Sequence, residues 1–170
     1  MLSGFKQPET YTIDAQKNAV IHNNKGLKYM EDYWWATAIQ EFKIAISLSP
    51  DTQASSVYYN NLGECYMKIG YPDLAQDCFE RAVKLYTLNF KYFQNLADCY
   101  EALGIVDTKL LETYENDNPL NYIMRGLLFA KQGNYPDAIT ILDEFVEKEP
   151  DLIVTHAVKA YIKELTAKLY

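Results

Sequence analysis

Basic charge, glycine and cysteine are all scarce in this chain. Sixteen Lys and Arg stand against twenty-three Asp and Glu, a net charge of −7. Nucleic-acid backbones attract clustered cations, so nucleic acid is not expected as a ligand, and the balance favours a neutral to basic partner. Cys65, Cys78 and Cys99 lie 13 and 21 residues apart, with no Cys-x-x-Cys pair and no neighbouring histidine. That spacing speaks against a disulfide framework or a zinc site and leaves three reduced packing residues. The seven glycines build no phosphate-cradling loop, and His22 and His156 have no nucleophile or metal partner at a useful spacing. No enzymatic activity, cofactor or metal is therefore expected. Nothing approaches the ~20 apolar residues of a membrane helix, and the opening stretch MLSGFKQPETYTIDAQKN has no signal-peptide run. The expectation is a cytoplasmic chain without membrane insertion.

Apolar residues make up 49% of the chain and tyrosine is abundant, at fifteen, so the sequence supplies a folded, aromatic-rich core. Its organisation is repetitive. Tyr59, Leu62, Gly63 and Tyr66 are followed by Ala75 and Phe79. Gly26, Tyr29, Ala38, Phe42 and Pro50 repeat the frame, as do Gly126, Phe129, Ala138, Leu142 and Pro150. Twelve residues separate glycine from alanine each time. A weaker copy has Phe93, Leu96, Ala97 and Tyr100 but Lys109 in the later small-residue place. The segments GYPDLA and GNYPDA put a glycine after one helix, then proline and aspartate in the first turn of the next.

This pattern resembles the tetratricopeptide repeat, a helix–turn–helix of about 34 residues with W-x2-L-G-x2-Y, then A-x3-F, then P. The resemblance implies an all-α, right-handed α-solenoid of antiparallel helix pairs with about four units, the third degenerate. The expected units are about 19–52, 56–89, 90–118 and 119–152, with a solvating helix at 153–170. Residues 1–12 are expected as a tail before a single domain over 13–170, with Thr12 or Asp14 as the first N-cap. The steps between Gly26, Gly63, Ala97 and Gly126 are 37, 34 and 29. The first step predicts an extended connection at 49–55, and the last a stunted helix near Thr108–Glu115. His22, Lys25 and Arg125 depart from the pattern's aromatic and leucine places.

In such repeats the first helices line an inner groove, and the residue two before the small one points into it. That place holds Asn24, Asn61 and Asn95, each preceded by another amide, Asn23, Asn60 or Gln94. Asparagine is a poor helix former, so its repetition needs a reason. A carboxamide both donates and accepts, which matches the backbone of an extended peptide. The rows resemble the asparagine ladder of peptide-holding tetratricopeptide grooves. Bonding across the solenoid itself, or to water, is the other use of these amides, and both readings stay open.

One turn on, Glu64 and Asp98 with Lys91 and Met67 make the groove acidic at its middle, a place for a basic residue of an extended partner, and Ile123 and Leu127 make it apolar at unit four. The implied function is a non-enzymatic protein–protein interaction module. Rival readings are a structural assembly subunit or homodimer using convex or terminal faces, and a small secretion-type chaperone. A carboxylate clamp of the chaperone-binding kind is disfavoured, because Asn61 and Lys91 match it while Asn23, Leu27 and Asn95 fill its other places. Trp35 takes an aromatic packing place. Trp34 has none, and is expected either under Phe5 or Tyr11 of the tail or as a partner contact.

Overall fold

The computed structural model describes residues 14–170. The expected tail, Thr12 as cap, and Phe5 or Tyr11 as cover for Trp34 lie outside the described residues. Within them the chain is an all-α solenoid of helix pairs: α1 (Ala15–Glu31) with α2 (Trp35–Leu48), α3 (Ser55–Ile69) with α4 (Pro72–Leu85), α5 (Phe90–Leu103) with α6 (Val106–Glu112), α7 (Leu120–Lys131) with α8 (Tyr135–Lys148), then α9 (Ile153–Ala167). Asp14 caps α1 by accepting from the Lys17 amide at 3.0 Å.

Small residues set the pairing distance. A Cβ on Gly26 would stand 2.5 Å from the Phe42 ring, one on Gly63 2.6 Å from Phe79, and one on Gly126 2.4 Å from Leu142. Each pair joins the repeat's glycine to its own unit's large residue, and Phe42, Phe79 and Leu142 are fully buried. In unit three the sequence instead places Ala97 before Thr113, and there the second helix is short.

The stunted helix is α6, seven residues long where α2, α4 and α8 have fourteen. It starts and ends slightly earlier than the sequence suggested. Arg125 explains how the gap is sealed. Its guanidinium donates to the Thr113 carbonyl at 2.6 Å and to Thr113 Oγ1 at 3.1 Å. The rings of Tyr114 and Tyr122 flank it at 3.8 and 4.7 Å. An arginine in the leucine place thus fills the space of the missing turns and partners the C-terminal end of α6, where a cation is favoured.

The connection at 49–55 is folded, not extended. Thr52 Oγ1 lies 2.8 Å from Ser55 Oγ and 3.1 Å from Ser49 Oγ, and Ser55 Oγ donates to the Ser49 carbonyl. Hydroxyl groups satisfy the backbone at this buried junction where a straight linker would not. Thr155 Oγ1 donates to the Glu149 carbonyl at 2.5 Å, six residues back as for Ser55 and Ser49. So α9 follows unit four as α3 follows unit one, as the first helix of a further unit.

Candidate functional site

The inner face is built by the first helices α1, α3 and α5, which repeat packing has aligned side by side. The amides that the sequence set outward here are spent on one another. Asn23, Asn60, Asn61 and Asn95 are buried. Asn61 Nδ2 donates to Asn23 Oδ1 at 2.9 Å, joining units one and two. Asn95 Nδ2 donates to Asn60 Oδ1 at 2.8 Å, joining units two and three. Asn95 Nδ2 also donates to Glu64 Oε1 at 3.0 Å, and Asn60 Nδ2 reaches the same oxygen at 3.4 Å. A carboxylate only accepts, so both amide nitrogens must face Glu64, and this fixes the direction of the second rung.

The rungs are therefore diagonal. The residue three before the small one in a unit accepts from the residue two before it in the next, which a straight row of equivalent positions does not reveal. Asn24 is exposed and Gln94 half-buried, and neither belongs to a rung.

Beside the second rung lies a cavity of about 350 Å³, lined by Met30, Glu64, Met67, Lys68, Phe79, Lys91, Asn95 and Asp98. Of the residues expected at the site, Glu64, Met67, Lys91, Asn95 and Asp98 meet there. Ile123 and Leu127 do not. They are 0% and 2% exposed, in one core cluster with Val154, Val158 and Leu165 of α9, so the apolar end expected for the groove is internal packing. Helix α9 also touches α5, with the Phe90 and Tyr161 rings 5.4 Å apart, and it borders Lys91 and Gln94 across a second cavity.

Electrostatics divide the acidic groups. Lys131 of α7 reaches Asp98 at 2.5 Å and Glu101 at 3.5 Å. Burial pulls the Lys131 ammonium down, but these two carboxylates outweigh it and hold it above the usual lysine value. Sequence reasoning missed Lys131. The signal was available, since Lys68 and Lys131 each stand five residues after their unit's glycine.

The α1–α2 turn carries exposed aromatics. Trp34 is 60% exposed and stacks on Tyr29, with centroids 6.0 Å apart, while Trp35 packs against the core as expected.

Comparison with known proteins agrees with this architecture. Tetratricopeptide repeat profiles match residues 56–89 and 122–151. No curated protein matches in sequence. Among solved structures, MamA superposes with a TM-score of 0.54 at 22% identity, covering 81% of each chain. A thermophilic repeat protein of Thermus thermophilus gives 0.53 at 16% identity, over 89% of this chain and 82% of its own. YrrB, described as a repeat protein with an unusual peptide-binding site, gives 0.51 at 21% identity, over 84% and 74%. Helix pairs in register, glycines set against their own unit's large residue, and two units carrying the sequence signature lead to one assignment: this chain carries tetratricopeptide repeats.

Proposed function

We propose that this chain is a non-enzymatic interaction module that holds an extended peptide segment of a partner protein against the inner face of units one to three. The cavity between α1, α3 and α5 carries the reading. It combines an apolar lining of Met30, Met67 and Phe79 with polar groups from Glu64, Asn95, Lys91 and Asp98, the mixture that suits a bound chain. The ladder's contribution is reduced to the carbonyl oxygens of Asn61 and Asn95, which are not used in the rungs and in this reading accept peptide N–H groups. Each such bond adds ~0.5–1.5 kcal/mol, so several must act together. YrrB, with a similar fold, is described as having a peptide-binding site, which gives the reading a precedent.

Panning a displayed peptide library on the wild type, then measuring affinity for Met67→Trp, tests it. Met67→Trp fills the cavity without changing charge, so selected peptides should bind at least tenfold more weakly while the circular dichroism is unchanged. Equal affinity for the substituted protein, or no enriched peptide at all, would overturn the groove.

A second reading, an assembly subunit or homodimer, is favoured by one observation. Tyr33 and Trp34 in the α1–α2 turn and Tyr71 in the α3–α4 turn are 76%, 60% and 52% exposed, large aromatic side chains left uncovered among the described residues. Sedimentation that changes with Trp34→Ser but not with Met67→Trp would support that use.

A further inference from the structure

Building on the groove reading, we infer that Glu64 is a subsite for one basic side chain, Lys or Arg, of the bound segment, and that Asn60 and Asn95 are positioning residues that aim its carboxylate.

The acidic groups of the inner face are not equivalent. Asp98 and Glu101 already share a cation, Lys131, at 2.5 and 3.5 Å. Glu64 has no cation within 4.0 Å among the described residues. It is half-buried, where an unpaired carboxylate is less well solvated than at the surface. Both amide donors converge on its Oε1. That leaves Oε2 for another donor, on a carboxyl group whose rotation the two amides restrict.

The surroundings define what that donor is attached to. Met30, Met67 and Phe79 line the same cavity, and thioethers and aromatic carbon suit the aliphatic stem of lysine or arginine while its head reaches the carboxylate. Lys68 and Lys91 border the cavity as well, exposed and outside ion-pair distance of Glu64. They oppose a second cation nearby, so the subsite takes a single basic residue rather than a polybasic run. Charge complementarity, an open acceptor atom and an apolar flank agree on one chemistry. The buried asparagines thereby gain a role the ladder did not give them, since they act on the ligand through Glu64.

Four short peptide libraries test this, with the central residue fixed as Lys, Arg, norleucine or Glu and the remaining positions uncharged. Binding is measured for wild type, Glu64→Gln, Glu64→Lys and Asn95→Ala, with circular dichroism as the folding control. The wild type should prefer the Lys and Arg libraries over norleucine by tenfold or more, and more strongly at low salt. Glu64→Gln should lose that preference and bind the Lys, Arg and norleucine libraries alike. Glu64→Lys should turn the preference towards Glu. Asn95→Ala should narrow the gap between the Lys and norleucine libraries beyond any loss common to both, a selective effect that general loosening of the solenoid would not produce. Equal wild-type binding to Lys and norleucine would overturn the subsite and leave the groove standing. No wild-type binding to any of the four would overturn both. A basic preference undiminished in Asn95→Ala would remove the positioning role alone.

Discussion

Glycine does two different jobs in this repeat, and single substitutions separate them. At Gly70, Gly104 and Gly133 the backbone is left-handed, with φ of 87°, 70° and 76°. A Cβ on Gly104 would meet nothing within 4 Å, so Gly104→Ala costs only the conformational term, ~1 kcal/mol in a urea titration. At Gly63 the helix is regular but a Cβ would lie 2.6 Å from Phe79. Gly63→Ala is therefore expected to cost more, ~2–3 kcal/mol, because a buried ring must move. Equal losses at the two sites would contradict this division. Unit one breaks the turn rule: Tyr33 stands where the other units have the left-handed glycine, with φ of 60°, its ring edge-on to Trp35 at 5.8 Å. The packing glycines were legible in the sequence, because a fixed spacing to the small and large residues recurs three times. The strained tyrosine was not, since a turn position is filled by local tolerance that periodicity does not record.

Among the elements, α6 shows how far one departure can be read. Its shortness followed from the 29-residue step, but the partner that makes it tolerable did not, because Arg125 reads as a flaw until Thr113 is placed beside it. Arg125→Leu restores the family's residue and is nonetheless expected to destabilise the fold by ~2–4 kcal/mol. It strips two hydrogen bonds from a buried threonine and the cation from between two tyrosine rings. A midpoint in urea equal to or above the wild type's would show that leucine packing suffices there. The junction into α9 has a comparable logic at smaller scale. Thr155 is 1% exposed and satisfies the Glu149 carbonyl, so Thr155→Val should cost ~1 kcal/mol despite its matching shape. By the same register Lys163 falls where Gly63 stands in unit two. It is exposed, with no second helix of its own packed against it among the described residues.

Across the molecule, the fold was legible to the level of helix pairs and of the short α6, because helix pairing is local and repeats itself, whereas the folded 49–55 connection was not. The site was legible only as a list of residues facing inward. Which amides pair, which carboxylates share a cation, and that α9 packs beside α5 at one end of the inner face all depend on contacts between units. Whole-molecule packing also sets how stability responds to pH. The thiols of Cys65, Cys78 and Cys99 are buried, and desolvation pushes them up to about 12, about 12 and about 11 from 9.0. Tyr58, Tyr100 and Tyr161 are raised by burial too, and Lys131, despite burial, is held up by Asp98 and Glu101. A group whose folded pKa lies above its unfolded value stabilises fully below the unfolded value, and that contribution fades as pH rises through the folded one. All the shifts named here have this sign, so stability should hold to about pH 9 and fall steadily towards pH 12, with the thiols first. Unfolding free energy measured in urea from pH 7 to pH 11 should show this decline. Replacing all three cysteines by alanine should reduce its slope, even though the substituted protein is less stable at pH 7. An unchanged slope would mean that the thiols titrate no differently in the native state than in the unfolded chain, against their burial.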